Sequence, residues 1–381
     1  MTSDTHNQPL IDSDEILEGI LQWVNIESPS DDPSAVNRMA DKVQADMRPI
    51  GATLERIPGR DGYGDILIAR APWNDERPGI LVLSHMDTVH PIGTLESIRP
   101  VARDGDVVFG PGIYDMKGGA YLAYYALRHL VRLGRTTPLP VTFLFVPEEE
   151  VGSHTSREHI ERLGRENKYV LVTEPARDGG KVVTARKGSA DFEVTVTGRA
   201  AHAGARHQDG RNAIAEMARQ ILVLEDMTDY ERGITVSVGV IEGGTFSNVV
   251  PATCRAQVDV RFPNAPAGKE MCERVLGLCA LGADTKVEVT GGINRPGYEK
   301  DPGIDALFNH AKALAADIGF ELEDTTSGGV SDGNFTAALG IPTLDGLGVD
   351  GQGAHTDYEQ MYYSSLAPRA DLWVRLLSTL S

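Results

Sequence analysis

Residues 80–91, ILVLSHMDTVHP, decide the fold class, because an apolar run typical of a buried strand ends directly in polar residues. Runs of the same kind occupy residues 66–69, 141–146 and 169–173, and helical stretches such as residues 121–133 separate several of them. Strands that alternate with helices indicate βαβ units. We therefore predict an α/β domain with a mostly parallel sheet and helices on both faces, whose ligands bind at the carboxyl ends of the strands.

A different pattern begins near residue 188, where four β-rich runs and two helical stretches follow in the order β-α-β-β-α-β. The strands are predicted at residues 191–197, 235–241, 253–261 and 286–290, and the helices at residues 212–224 and 269–281. This order is typical of a ferredoxin-like α+β arrangement. We predict a discontinuous first domain, residues 1–187 and 293–381, with the second domain inserted at residues 188–292.

The composition excludes several classes of protein. A net charge of −19 over 381 residues argues against a general nucleic-acid binder, which needs a basic surface. No stretch is long and apolar enough to span a bilayer, and residues 1–16 contain neither the basic nor the apolar part of a secretory signal. Three cysteines suit a reducing compartment, so we expect a cytoplasmic protein, although a mature secreted form would have the same composition. We expect neither membrane nor nucleic-acid partners.

His85 and Asp87 directly follow the apolar run at residues 80–84. Their i, i+2 spacing points both side chains to one face if the strand continues. A metal-bound histidine with a carboxylate that ligates, or that fixes the ring, explains this pair. A histidine at a strand end in a polar turn explains it as well.

Four further motifs place polar residues after strands or in glycine-rich loops: GPGIYDMKGG with Asp115, LFVPEEEVGS with residues 148–150, YVLVTEP with Glu174, and GQGAHTDYEQ with His355. Each motif alone is also explained by a turn or a helix cap. Together with the first motif they supply two histidines and at least three carboxylates. That set suffices to hold two divalent ions and to leave one carboxylate as a base.

The segments SHMDTV, GIYDMKGG, EEVGS, TEP and GAHTDYE resemble, in order, the five site motifs of a di-zinc family. The family contains aminoacylases, glutamate carboxypeptidases and succinyl-diaminopimelate desuccinylases, and the chain most resembles the glutamate carboxypeptidase branch. The likeness covers nearly the whole chain. Pro147 departs from the pattern, since members commonly carry an acidic residue there, so the glutamates are aligned from the following VGS and Glu148 is left as a bystander.

The resemblance implies a ligand set for two ions. His85 would bind one zinc ion, His355 would bind the other, and Asp115 would bridge them. Glu150 and Glu174 would complete the two coordination shells. Nitrogen and oxygen ligands suit Zn²⁺ and also admit Mn²⁺ or Co²⁺.

The resemblance also assigns two residues that do not bind metal. Asp87 would orient His85. Glu149 would be the general base, which takes a proton from a metal-held water and delivers it to the leaving nitrogen. The implied reaction is hydrolysis without a covalent intermediate.

In the inserted domain, the segments GRAAHAGARHQDGRNAI, GGTFSNVVP and VDVRFP resemble family segments that cover the substrate, partly across a dimer interface. The resemblance makes this domain a lid and dimerisation domain and the protein a homodimer. His202 would polarise the scissile carbonyl, and Asn248 and Arg261 would hold the substrate. A loop histidine and a surface arginine at a strand end are the structural alternatives.

Three further basic residues are candidates for binding a substrate carboxylate. Arg295, in NRPGYEK, resembles an arginine of the glutamate carboxypeptidase branch, and a guanidinium fork matches a carboxylate. Arg186 and Lys187, at the predicted domain junction, are weaker candidates for the same role.

We therefore predict a metal-dependent hydrolase that cleaves an amide bond next to a carboxylate in a small anionic substrate, such as an N-acyl amino acid or a short peptide. An alternative keeps the metals but acts on an aromatic amide or amine. A second alternative is a non-catalytic metal-binding protein on the same fold, which would lack the Glu149 base or a ligand, and neither is missing.

Overall fold

The structure is a computed structural model that describes residues 11–381. Residues 1–10, which hold most of the stretch examined for a secretory signal, lie outside the described residues. The chain divides into two compact units. The first unit comprises the chain up to Thr184 together with Lys300–Thr326 and Ser331–Ser381, and the second comprises Ala185–Glu299 and Ser327–Val330.

The α-helices of both units are, in chain order, α1 Ser13–Val24, α2 Pro33–Met47, α3 Thr94–Ser97, α4 Gly118–Arg132, α5 Arg157–Glu166, α6 Ala213–Glu225, α7 Ala265–Leu276, α8 Pro302–Ile318, α9 Gly333–Ala338 and α10 Leu366–Thr379. The strands are β1 Thr53–Ile57, β2 Ile66–Arg70, β3 Ile80–His85, β4 Ala102–Asp104, β5 Val107–Phe109, β6 Val141–Val146, β7 Tyr169–Val172, β8 Val182–Arg186, β9 Gly188–Thr197, β10 Ala201–His202, β11 Thr235–Gly243, β12 Val249–Val250, β13 Thr253–Phe262, β14 Lys286–Arg295, β15 Asp324–Ser327, β16 Thr343–Leu344, β17 Gly351–Gln352 and β18 Gln360–Tyr362.

The first unit contains a six-stranded sheet in the order β1-β2-β6-β3-β7-β16. The pairs β6–β3, β3–β7 and β7–β16 are parallel, while β1–β2 and β2–β6 are antiparallel. The central strands β3 and β6 are buried at every position, as expected for strands that are covered on both faces. Ile80 pairs with both Val141 and Tyr169, so the carboxyl ends of three neighbouring strands meet at one edge.

Helices cover both faces of this sheet. On one face α1, α4 and α10 supply the larger core, in which the Trp23 and Tyr121 rings lie 5.3 Å apart, edge to face. On the other face α5 and α9 supply a smaller core that includes Leu163 and Phe335. The predicted α/β class, with helices on both faces of a mostly parallel sheet, is confirmed.

The second unit has the element order β9-α6-β11-β13-α7-β14 and a four-stranded antiparallel sheet in the order β11-β13-β9-β14. This is the predicted ferredoxin-like arrangement. Alternate residues of β9 and β13, such as Val194 and Val258, are buried in its own core with Met217 of α6 and Met271 of α7. The sheet therefore buries one face under its two helices.

One predicted element is displaced. Helix α7 begins at Ala265, before the predicted start at Lys269, because the Asn264 side chain accepts a hydrogen bond from the Ala267 N–H and Pro266 occupies the first turn. It ends at Leu276, before Gly277. Within residues 11–381, no helix is long and apolar enough to cross a membrane.

Candidate metal centre

Three of the motifs reach the same edge of the first unit's sheet. His85 is the last residue of β3, the glutamates at residues 148–150 follow β6, and Glu174 follows β7. These strands are neighbours, and a hydrogen bond of 2.7 Å joins the Ser84 and Thr173 hydroxyls just before His85 and Glu174. The parallel register therefore brings together side chains that lie about ninety residues apart in sequence.

The His85 ring is held by Asp87, chiefly through the backbone. Its Nδ1 lies 2.9 Å from the Asp87 carbonyl oxygen and 3.4 Å from Asp87 Oδ1. A carbonyl oxygen only accepts, so Nδ1 donates and Nε2 is left as the atom that can bind a cation. Nε2 points toward Asp115 and Glu174.

The Asp87 carboxylate itself holds the glutamate turn in place. It accepts hydrogen bonds from the backbone N–H groups of Glu149 and Glu150, both at 3.2 Å, and from the Ser30 hydroxyl at 2.6 Å. Asp87 is 1% exposed, so these donors offset the cost of burying its charge. It thus fixes both the histidine of β3 and the turn after β6.

Glu148 is not a bystander. It is fully buried, and its carboxylate accepts four hydrogen bonds of 2.8 Å from the backbone N–H and hydroxyl groups of Thr155 and Ser156. This anchor closes the loop on which Glu149 and Glu150 form a 3₁₀ turn. The Glu148 carboxylate therefore has its own hydrogen-bond donors and does not share the environment of the Glu149 and Glu150 carboxylates.

Asp115 and His355 come from loops. Asp115 precedes α4, after Gly112 in the left-handed region at φ 70°, and the Asp115–Met116 peptide bond is cis. His355 also has a positive φ, 64°, in the loop before β18. Its side chain is 56% exposed, whereas that of Asp115 is 9% exposed.

Asp115 faces both imidazoles, one with each oxygen. Its Oδ1 lies 3.3 Å from His85 Nε2, and its Oδ2 lies 3.5 Å from His355 Nε2. On the first side, His85 Nε2 is also 3.7 Å from Glu174 Oε1. On the second side, His355 Nε2 is 3.0 Å from Glu150 Oε2. The residues thus form two sets that share the Asp115 carboxylate.

The pKa values of the two histidines and of Glu150 show that this cluster favours bound positive charge. Burial raises the pKa of Glu150 to about 8, the hydrogen bond from His355 opposes this, and the nearby Asp115 carboxylate adds to it. Hydrogen bonds to Asp115 and Glu150 raise the pKa of His355 to about 11. Burial opposes protonation of His85, yet hydrogen bonds to Asp115 and Asp87 hold its pKa well above the usual value. Protons on the two rings thus supply charge that divalent cations would otherwise supply.

The residues fit a pair of cations by their donor chemistry. Glu150 Oε1 is buried and has no hydrogen-bond partner among residues 11–381, which suits an atom reserved for a cation. One triad of His85, Asp115 and Glu150 and another of His85, Glu149 and Glu174 each bring one ligand atom per residue within 4.8 Å of the others. Imidazole nitrogen and carboxylate oxygen are ligands that Zn²⁺ accepts at 2.0–2.2 Å in general.

Two predicted substrate residues lie side by side in the second unit. His202 in β10 pairs with Val249 in β12, and the Ala203 N–H donates to the Asn248 carbonyl at 2.9 Å. His202 Nδ1 accepts hydrogen bonds from the Gly204 and Ala205 N–H groups at 3.2 and 3.1 Å. The ring proton is therefore on Nε2, which leaves His202 able to donate a hydrogen bond. Both His202 and Asn248 are exposed.

The four predicted basic residues of the second unit have different environments. Arg261 is half-buried and makes a bidentate ion pair with Asp259, at 2.7 Å for its closest contact. Arg295, at the end of β14, is 2% exposed. Arg186 is fully buried and donates to the Gly329 carbonyl at 3.0 Å, so its guanidinium secures the loop at residues 327–330. Lys187 is half-buried, and its backbone N–H donates to Ser327.

Sequence reasoning assigned no role to two residues that support the centre. Glu359 is 1% exposed, and its carboxylate accepts from the Asp115 N–H at 2.8 Å. Arg177 lies 3.6 Å from Glu174 Oε2, the oxygen not directed at His85. Glu359 is the last residue of GAHTDYE and Arg177 lies two residues after TEP, but the sequence of these motifs does not indicate which way the two side chains point.

The chain resembles known proteins over most of its length. Residues 81–379 match peptidase family M20/M25/M40. Carboxypeptidase G2 of Pseudomonas sp. (strain RS-16) is 31% identical over 362 residues, which is 93% of this chain and 86% of that protein. A succinyl-diaminopimelate desuccinylase of Phenylobacterium zucineum (strain HLK1) is 28% identical over 87% of this chain and 89% of its own.

Solved structures show the same fold. A tripeptidase from Staphylococcus aureus superposes with a TM-score of 0.82 at 22% identity, covering 97% of this chain and 98% of that one. The match to the family spans the strand of His85 and the loop of His355 alike. The chain belongs to peptidase family M20/M25/M40 and is a metal-dependent hydrolase.

Proposed function

We propose that this protein hydrolyses the amide bond of an N-acyl amino acid or a short peptide that carries a free carboxylate beside the scissile bond. The observation that carries the proposal is the shared Asp115 carboxylate, with one oxygen toward His85 and the other toward His355. The names of its relatives, a carboxypeptidase and a desuccinylase, support cleavage beside a carboxylate.

The proposed ligands divide between two ions. His85, Asp115 and Glu174 would hold one, and His355, Asp115 and Glu150 would hold the other, because each histidine Nε2 lies 3.7 Å or less from both carboxylates of its set. Zinc is the proposed metal, with Mn²⁺ or Co²⁺ as the alternatives that the same ligands accept. When bound, such ions supply Lewis acidity that lowers the pKa of a water and polarises the scissile carbonyl.

Glu149 is the proposed general base. It follows β6, is half-buried, and places a carboxylate oxygen within 4.8 Å of ligand atoms of His85 and Glu174. Glu149 thus lies beside the set of His85 and Glu174, while its neighbour Glu150 belongs to the set of His355. Its backbone is fixed by Asp87, so the carboxylate is held ready to take a proton from water and to pass it to the leaving nitrogen.

The second unit would contribute to substrate binding. His202 would donate a hydrogen bond from Nε2 to the substrate's carbonyl oxygen. Two backbone N–H groups donate to its Nδ1, which favours the ring proton on Nε2. Asn248 and Arg261 would contact the substrate. Arg295 would bind its carboxylate, whereas Arg186, whose guanidinium already donates to the Ser327 hydroxyl and the Gly329 carbonyl, is a weaker candidate.

We also propose that the protein is a homodimer formed through the second unit. Strand β11 is an edge strand of the described sheet, and Val240 and Ile241 on it are 44% and 51% exposed. Helix α6, which packs beside β11, exposes 69% of Leu222. An exposed edge strand can pair with the same strand of a second copy about a two-fold axis, which would cover these apolar side chains.

The three free cysteines and the expected small substrates favour the cytoplasm, and fractionation that placed the protein elsewhere would contradict this.

The dimer surface has a matched control on the other helix. Replacing both Leu222 and Ile241 with Glu should give monomers, because four buried charges per dimer would oppose association. Leu276→Glu, on α7 at a residue 49% exposed, should leave the dimer intact. Sedimentation velocity measures both. A wild-type monomer, or a double variant that stays dimeric, would remove the proposed surface.

Glu149→Gln should separate catalysis from metal binding. The substitution removes the base and keeps the shape, so kcat should fall about 10²–10⁴-fold while the metal content and the melting temperature stay at wild-type values. Glu158→Gln, at an exposed acidic residue of α5, is the control and should change neither. A Glu149→Gln protein with kcat within a few-fold of wild type would show that another group is the base.

Arg295→Ala should selectively weaken substrates that carry a free carboxylate. A charge-assisted hydrogen bond is worth about 1.5–3 kcal/mol, so the ratio of kcat/KM for an N-acyl amino acid to that for its carboxamide should fall roughly tenfold or more. General damage to the site cancels in this ratio. Arg232→Ala, at a surface arginine paired with Glu270, should leave the ratio unchanged. Equal losses on both substrates would mean that Arg295 has a structural role and that Arg261 is the candidate for binding the substrate carboxylate.

A further inference from the structure

Glu359 is a buried carboxylate surrounded by four hydrogen-bond donors. Its Oε1 accepts from the N–H groups of Tyr114 and Asp115 at 2.9 and 2.8 Å. Its Oε2 accepts from the Gly112 N–H at 2.7 Å and lies 2.6 Å from His90 Nε2. An ionised carboxylate can only accept, so His90 donates in this contact. Four donors compensate a charge that is 1% exposed.

These donors come from the segments that carry the proposed ligands. His90 belongs to the loop that follows His85, and residues 112–115 form the loop that ends in Asp115. Glu359 itself follows His355 in the loop before β18, and β18 pairs with β5 ahead of the Asp115 loop. Three segments far apart in sequence therefore meet on one side chain.

We propose that Glu359 is a positioning residue that, through the backbone of residues 112–115, fixes the Asp115 carboxylate between His85 and His355. The inference rests on the proposed metal centre. The Asp115 N–H is bonded directly to Glu359, so the direction of the Asp115 side chain depends on this contact. Groups that orient metal ligands typically change metal affinity or activity by about 10–100-fold when they are replaced.

The role requires a carboxylate and not an amide. In Glu359→Gln, one of the two oxygens becomes an NH₂ group, which can only donate. If it faces Tyr114 and Asp115, two backbone N–H groups lose their acceptor. If the NH₂ group faces Gly112 and His90, at least the Gly112 N–H loses its acceptor. Either orientation leaves a buried donor without a partner and shifts the loop that carries Asp115.

The chain provides a matched control in Glu27. Its carboxylate also accepts two backbone N–H groups, from Gly93 and Leu95, both at 2.8 Å. It lies in the same unit and holds Gly93 and Leu95 at the start of α3, at the far end of the loop that contains His90, and none of the proposed metal ligands lies there. Glu27→Gln therefore removes the same kind of anchor without touching Asp115.

The experiment is a zinc competition assay on the full-length protein after chelator treatment, with a chromophoric chelator as the competitor. Glu359→Gln and Glu359→Asp should each lower zinc affinity about 10–100-fold, and Glu27→Gln should stay within a few-fold of wild type. After reloading with saturating zinc, the two Glu359 variants should have a lower kcat with little change in KM, since the substrate contacts are untouched. Melting temperatures measured in chelator separate loss of fold from loss of metal.

The outcomes are distinguishable. Wild-type zinc affinity in both folded Glu359 variants would overturn the inference while leaving the proposed function intact. An equal loss in Glu27→Gln would also overturn it, because the effect would then be general. If Glu359→Gln does not fold, Glu359→Asp decides alone, since it keeps the charge and shortens the reach. A wild-type protein that binds no zinc and cleaves no amide would instead refute the proposed function itself.

Discussion

The carboxylates of Asp115, Glu150 and Glu174 lie close together beside two imidazoles, and none of these three side chains is more than 9% exposed. The rest of the site depends on this confinement of negative charge. Like charges held this closely repel unless protons or cations compensate them. Burial, together with the nearby Asp115 carboxylate, raises the pKa of Glu150 to about 8, and hydrogen bonds to Asp115 and Glu150 raise the pKa of His355 to about 11. A site that must take up positive charge to be stable is suited to hold divalent ions.

The surrounding acidic residues have the opposite role. Asp87, Glu148 and Glu359 are all buried, and the oxygens of each carboxylate accept hydrogen bonds from N–H or hydroxyl groups of nearby loops. Their charges are therefore satisfied by the protein and not left for a cation. The proposed centre combines two classes of carboxylate: one class accepts hydrogen bonds from loops, and the other comprises the proposed metal ligands that those loops carry. Within the short segment after β6, this division separates Glu148, which anchors a loop, from Glu150, which is a proposed ligand.

The sequence predicted the parts of this arrangement that depend on local pattern. Apolar runs ending in His85, the glutamate turn and Glu174 are visible as strands with polar ends, and a parallel sheet necessarily brings such ends together. The supporting contacts could not be predicted in the same way, because many of the donors to Asp87, Glu148 and Glu359 are backbone N–H groups, which almost any residue provides. Glu359 lies in the GAHTDYE motif, yet the Asp115 N–H from which it accepts a hydrogen bond is 244 residues away in sequence. The start of α7 was missed for a related reason, since a single cap at Asn264 outweighed the apolar spacing.

The number of ions per chain tests the shared Asp115 carboxylate most directly. Elemental analysis of protein that was purified without added metal, and again after dialysis against zinc, would give both the count and the identity of the metal. A dinuclear centre built on Asp115 predicts two ions per chain in the active protein, and a coordinated loss of both when Asp115 is replaced with Ala. Full activity with a single ion per chain, or two ions retained in Asp115→Ala, would contradict it.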